Sequence, residues 1–269
     1  MPEGHTLHRL ARLHQRRYGR APVRVGSPQG RFTDGAALVD GHVLRTAEAY
    51  GKHLFHHYSR PGGGEHVVHI HLGLYGTFSE FDTSDIPDPV GQVRMRMVGA
   101  EYGTDLRGPT RCEVIDEAQV ADVVAGLGPD PLRADADPAR AWQRISKSRK
   151  AIGALLMDQS VLAGVGNVYR SELLYRNRID PFRPGTTITA AEFDAMWTDL
   201  VALMKVGVRR GKIIVMRPED DHGAPSYGPG RPRTYVYRRA GEPCRVCGSD
   251  VRTVVLEGRN LFWCPTCQC

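Results

Sequence analysis

Four cysteines set the tightest limit on how this chain can fold. Cys244 and Cys247 are separated by two residues, Cys264 and Cys267 likewise, and 16 residues lie between the pairs. Each C-x2-C turn offers two thiolates from one tight bend, and two such turns complete a tetrahedral zinc site. The intervening stretch has the length of a β-hairpin, so a zinc-ribbon hairpin is expected. Four thiolates leave no open coordination position, which makes the expected single zinc structural. Of the remaining cysteines, Cys112 reads as a small buried hydrophobe and Cys269 ends the chain.

The other 240 or so residues must form their own cores. With 269 residues and 41% hydrophobic content, two domains plus the small metal hairpin are expected. Charge is unevenly spread. There are 12 Lys/Arg against 6 Asp/Glu from Lys205 to Arg259, and 9 against 3 from Arg140 to Arg183, but 5 against 13 from Glu80 to Asp137. A basic C-terminal half suits a polyanion, with a solvated basic face that has no partner as the alternative. No run of about 18 apolar residues exists and the start is no signal peptide, so a cytoplasmic protein with no membrane partner is expected.

Hydrophobic periodicity divides the chain. Leu7, Leu10, Ala11 and His14 recur at helical spacing, predicting a helix over 5–18 with Arg9, Arg12 and Arg16 outward. From Val23 to Ile115 the period is two, clearest where Val93, Met95 and Met97 alternate with Arg94 and Arg96, and further strands are expected at 43–44, 54–58, 67–72 and 77–81. Histidines 53, 56, 57, 66, 69 and 71 fall on both faces of such strands, so no second metal site is expected. A helix follows at 117–125. Beyond it the helical period dominates, at 139–145, 151–158, 167–177 and 189–207. Lys212 to Arg233 reads as a mobile loop, and Tyr235 and Tyr237 as the start of a strand entering the zinc hairpin. The fold class is therefore α+β: a β-sandwich domain with flanking helices over 1–125, a linker over 126–138, a helical domain over 139–233 and the zinc hairpin over 234–269.

Two stretches carry chemistry. Met1 before the small Pro2 is commonly trimmed, leaving a secondary α-amine whose ordinary pKa lies near 8, low enough to supply unprotonated nucleophile at neutral pH. Glu3 beside it could move protons. The segment Asp158–Tyr169 joins two helices through Gly164 and Gly166, which permit left-handed backbone, and Gly166-Asn167 would set backbone N–H groups at a helix start, where phosphate binds.

Four separated stretches, Met1-Pro2-Glu3-Gly4, Gly51-Lys52, Asp158–Tyr169 and Gly258-Arg259 through Cys264-Pro265-Thr266-Cys267-Gln268, together resemble the formamidopyrimidine-DNA glycosylase/endonuclease VIII family, closer to its endonuclease VIII branch. The resemblance implies a bifunctional glycosylase and abasic-site lyase of base-excision repair. It would act as a monomer on damaged DNA, removing oxidised bases, pyrimidines foremost, through a Schiff base to Pro2 and then β,δ-elimination. It assigns Pro2 as nucleophile, Glu3 as acid/base and Lys52 to β-elimination. Asn167, with Gly166 before it, would hold a phosphate, and Arg259 would grip phosphates and assist δ-elimination. His71 to Gly76 resembles the family's wedge loop, with Leu74 and Tyr75 as inserting side chains or, alternatively, as sandwich core. Thr6 stands where purine-specific relatives carry a second glutamate, and Gly73 where the endonuclease VIII branch often carries a polar wedge residue. A zinc-ribbon DNA-binding protein without catalysis would share the fold and the basic face. The Pro2-Glu3 pair separates the two readings, since a pure binder has no use for a free secondary amine.

Overall fold

The computed structural model describes residues 2–220 and 233–269. It divides into two compact units, Met1–Gly126 and Leu127–Cys269.

The N-terminal unit opens with helix α1 (Gly4–Tyr18), which buries Leu7, Ala11, His14 and Tyr18 on one stripe, leaves Arg9, Arg12 and Arg16 exposed, and places Arg16 and Arg17 in its last turn, where the helix dipole favours cations. The strands are β1 (Pro22–Gly26), β2 (His42–Tyr50), β3 (His53–Ser59), β4 (Glu65–His71), β5 (Thr77–Asp82), β6 (Val93–Val98), β7 (Tyr102–Arg107) and β8 (Arg111–Ile115); α2 (Thr33–Val39) lies between β1 and β2. All pairings are antiparallel, in the order β5-β7-β6-β1-β2-β3-β4-β8. Strand β1 makes this a sandwich rather than one flat sheet. Pro22 and Val23 pair with β2, whereas Arg24, Val25 and Gly26 pair with β6 on its other side. Where β1 leaves β2, the Val25 N–H is taken by the Asp40 carboxylate at 2.8 Å, so no donor is stranded.

In β6, Val93, Met95 and Met97 are fully buried and their arginine neighbours are not, as the alternation requires. Met95 and Met97 meet Leu7, Tyr18, Leu44, Leu54, Tyr58 and Ile70 in the first core. That core also holds a polar pair: His14 of α1 and His56 of β3 are hydrogen-bonded at 3.0 Å. Burial pushes the His14 imidazole down to about 3 and His56 well below its ordinary value, so both are neutral. Helix α3 (Glu117–Ala125) closes the unit with a reciprocal Asp116–Gln119 capping box and covers a smaller cluster of Phe55, Val67, Ile115 and Val120.

The C-terminal unit contains α4 (Pro138–Ile145), the single turn α5 (Ile152–Leu155), α6 (Asn167–Arg176), α7 (Ala190–Arg210) and the two-stranded hairpin β9 (Arg252–Leu256)–β10 (Arg259–Trp263). Helix α7 starts with a Thr189–Glu192 capping box and ends at left-handed Gly211 (φ 66°). Its Met196, Leu200 and Met204 pack with Ile145, Tyr169, Leu174 and Val236 in the second core.

Several expectations change. The helix over 151–158 shrinks to four residues, because Asp158 turns the chain, its carboxylate accepting the backbone N–H and hydroxyl of Ser160. The stretch 127–131 is packed into the second unit, with Asp130 buried and the Gly128 N–H donated to Gln159 O at 2.9 Å. Tyr235 to Tyr237 do not begin a strand. The loop expected over 212–233 falls partly outside the described residues, at 221–232; before that gap, Val215 and Met216 are buried in the second core. No helix among the described residues is long and apolar enough to cross a membrane.

Candidate active site

Glu3 sits at the N-cap of α1 with extended backbone (φ −122°, ψ 176°), and its carbonyl accepts the Thr6 N–H at 2.8 Å. Its side chain is completely buried, which is unusual for a carboxylate next to a chain terminus, and Pro2 is half-buried. The stripe of Leu7, Ala11, His14 and Tyr18 fixes the helix on the sheet, so this end is held rather than frayed. Lys52 occupies, with left-handed Gly51 (φ 55°), the two-residue turn between Tyr50 and His53 that joins β2 to β3. It lies close enough to His53 and His71 to help lower both imidazoles, although burial does most of this. His71 accepts the Gly73 N–H on Nδ1 at 3.1 Å.

The turn after β4 presents its side chains to solvent. Leu74 is 40% exposed and Tyr75 86%, so neither belongs to the sandwich core. Gly73 is left-handed (φ 65°), and a Cβ there would stand 1.8 Å from Thr110 Oγ1, so the backbone bears on its neighbour where a side chain would clash.

In the second unit Gly164 is left-handed (φ 88°), but Gly166 is extended (φ −122°, ψ −163°) and serves as N-cap of α6. Asn167 is 6% exposed, and its Nδ2 donates to Asn260 O at 2.9 Å, while its Oδ1 accepts from Arg170. Arg170 was not foreseen. It is fully buried, and its guanidinium donates to Leu256 O at 3.2 Å and reaches Arg259 O at 3.5 Å, tying α6 to both feet of the hairpin turn. Two residues on, buried Glu172 accepts the backbone N–H groups of Tyr235, Val236 and Tyr237 at 2.7, 2.9 and 2.7 Å. One carboxylate thus consumes the donors that a strand ladder would have used. The only signal in sequence is an Arg and a Glu among Tyr169, Leu173 and Leu174, which a helical wheel reads as surface charge.

The four cysteine sulfurs lie within 4.8 Å of one another, with Cys244–Cys267 at 3.9 Å and Cys247–Cys264 at 3.4 Å. Zinc–thiolate bonds of about 2.3 Å in a tetrahedron place sulfurs roughly 3.8 Å apart, so the cluster fits zinc. Gln268 locks the second cysteine turn, accepting the Cys264 N–H at 2.9 Å and donating to Ile179 O at 3.0 Å. Arg259 and Lys150 share a cleft of about 260 Å³ with Asp158 and Glu257.

A sandwich headed by a buried N-cap carboxylate, with a helical unit and a four-thiolate hairpin, defines the class of zinc-finger DNA glycosylases, and comparison with known proteins agrees. Three family models match along the chain: the formamidopyrimidine-DNA glycosylase N-terminal domain over 1–112, its H2TH domain over 127–218, and the zinc finger found in FPG and IleRS over 241–268. Endonuclease 8 1 of Mycobacterium tuberculosis is 72% identical over the full length of both proteins. The formamidopyrimidine-DNA glycosylase of Geobacillus kaustophilus is 35% identical over 87% of this chain and 84% of its own length. Among solved structures, Lactococcus lactis Fpg with abasic-site DNA matches with a TM-score of 0.79 over 99% of both chains at 19% identity, and MutM of Thermus thermophilus with 0.76 over 99% and 98% at 27% identity. This chain belongs to the formamidopyrimidine-DNA glycosylase/endonuclease VIII family. The zinc is accordingly that of a structural zinc finger.

Proposed function

We propose that this protein is a base-excision DNA glycosylase and abasic-site lyase that works through the Pro2 amine. The observation that carries the reading is the wholly buried Glu3 carboxylate, one residue from that amine on a helix end fixed by the first core. Pro2, freed of Met1, attacks C1′ of the lesion nucleotide. The base departs and an iminium joins the sugar to the protein. Glu3 supplies and takes protons as the deoxyribose ring opens. Lys52, on the β2–β3 turn, serves β-elimination. Arg259 grips phosphates beside the extruded nucleotide and assists δ-elimination, as a rigid fork of donors suits. Asn167 has one Nδ2 hydrogen left for a phosphate after its bond to Asn260, and Gly166 opens the helix end beside it. Extrusion leaves a gap in the stack, which the exposed Leu74 and Tyr75 fill. Oxidised pyrimidines are the preferred substrates, supported by Thr6 in place of a second glutamate. The enzyme acts as a monomer in the cytoplasm, on the nucleoid.

Borohydride added during reaction with abasic DNA should trap a stable adduct, because the reduced imine no longer hydrolyses. A version carrying an uncleaved N-terminal extension should trap at least about 100-fold less. If the extended protein traps as well as the native one, Pro2 is not the nucleophile.

One zinc per chain holds the hairpin that carries Arg259. Cys264→Ser should release the metal and abolish DNA binding, while helices α4 and α7, which contain no ligand, persist. Metal analysis, binding and far-ultraviolet circular dichroism check this together. Full DNA affinity in a zinc-free preparation would overturn it.

A further inference from the structure

The tip of the zinc hairpin is a two-residue turn. Leu256 pairs with Arg259, and both residues between them are left-handed, Glu257 at φ 53° and Gly258 at φ 66°. Glycine or asparagine suits such a position; glutamate is strained there. Glu257 is one of three non-glycine residues with positive φ among those described. The strain is held from below, since Arg170 binds the carbonyls at both feet of the turn. Its effect is to present an exposed carboxylate on the wall of the cleft that also holds Arg259 and Lys150.

The two anions of this cleft differ. Asp158 is spent locally: Ser160 donates to it twice, and Lys150 and Arg144 help to hold its carboxyl below the usual range. Glu257 makes no hydrogen bond or ion pair with any described residue. A free anion on the wall of a phosphate-binding cleft weakens that cleft for every phosphate, and most for the most highly charged.

The reaction changes that charge. β-Elimination takes a proton from a sugar carbon and breaks the C3′–O3′ bond. δ-Elimination takes a second proton and breaks the C5′–O5′ bond. In each case the oxygen keeps the bonding pair, so a flanking phosphodiester of charge −1 becomes a terminal phosphate of nearly −2 at neutral pH. Arg259 alone would hold the product more tightly than the substrate. We infer that Glu257 is a product-release residue: its fixed charge repels the terminal phosphates of the cleaved strand more than the diesters of the uncleaved one. This rests on the phosphate-gripping role given to Arg259 above.

The test uses the full-length, zinc-loaded protein and synthetic duplexes, so it does not depend on the chain's own lyase activity. Binding is measured to a one-nucleotide-gapped duplex with 3′- and 5′-phosphate ends, to the same gap with hydroxyl ends, and to an intact duplex. Glu257→Gln should tighten binding to the phosphate-ended gap by about 3- to 10-fold more than to either of the others, the range expected for one extra charge screened by solvent. Glu257→Asp should restore wild-type selectivity. Glu257→Gly removes charge and strain together and should match Glu257→Gln. Equal tightening on all three duplexes, no tightening, or a glycine variant unlike the glutamine one would overturn the inference. If Arg259→Ala leaves binding to all three unaltered, the fault lies instead with the role given to Arg259.

Discussion

Glu3→Gln should lower single-turnover base excision by about 100- to 10,000-fold while changing affinity for lesion DNA by no more than about twofold. The substitution keeps the size and planarity of a side chain that is entirely buried, and it leaves the basic surface of the second unit untouched. What it removes is the capacity to hold and return a proton. At a pre-made abasic site the base has already gone and the Pro2 amine is intact, so imine formation, read by borohydride trapping, should fall much less than excision. Excision and equilibrium binding on the same oligonucleotides provide the comparison. A loss of affinity equal to the loss of excision would make Glu3 a structural or binding residue and require a different proton donor.

A drop from pH 7 to pH 5 should unfold the N-terminal unit while α7 of the second unit stays folded. Ten of the 11 histidines lie in the first unit. Burial is the largest cause lowering His14 and His53 to about 3 and His5 and His69 to about 4, and it takes His56 well below its ordinary value. For each, the folded pKa lies below the unfolded value of 6.5. Folding therefore favours the neutral ring, and the stability it contributes is complete above pH 6.5 and lost as the pH falls towards the folded pKa. At pH 5 each of the four imidazoles lowered to about 3 or 4 costs roughly 2 kcal/mol. Several together rival the 5–15 kcal/mol stability of an ordinary domain. His57 has the opposite sign, since hydrogen bonds to Glu48 and Glu117 raise its pKa and strengthen the clasp in acid, but it is one group against six, His71 being lowered as well. Segment-resolved hydrogen exchange would show β3 and β4 losing protection before α7. Loss of both in step, or survival of β3 at pH 4, would contradict this.

Regular spacing made much of the architecture legible. Helix α1, the alternation of β6 and the four cysteines each repeat a chemical type at a geometrically meaningful interval. Helix α3 was expected at 117–125 and starts there, on the reciprocal Asp116–Gln119 capping box. The short α5 was hidden because Ala151–Asp158 keeps a helical apolar pattern while a side-chain bond at Asp158 overrides it. Tyr235 and Tyr237 carry strand-like residues, yet their backbone donors go to Glu172, 63 and 65 positions away, and no local pattern encodes a partner so remote. The β1 switch between two sheets is a matter of register, which five residues cannot specify alone. At the candidate site, residue types pointed to Pro2, Glu3 and the zinc ligands, whereas Arg170 and the left-handed Glu257 became apparent only once the hairpin was in place.

Arg170 also bears on how such proteins can be rebuilt. A zinc hairpin with its own four ligands looks like a cassette to exchange between relatives in order to retune substrate choice. Here its turn is fastened by a guanidinium from α6, and the chain leading into it is fastened by the Glu172 carboxylate of the same helix. A graft of 234–269 into a host lacking those two side chains would strand two acceptors at the hairpin turn and three donors in the segment leading into it, so the portable piece is the hairpin together with α6.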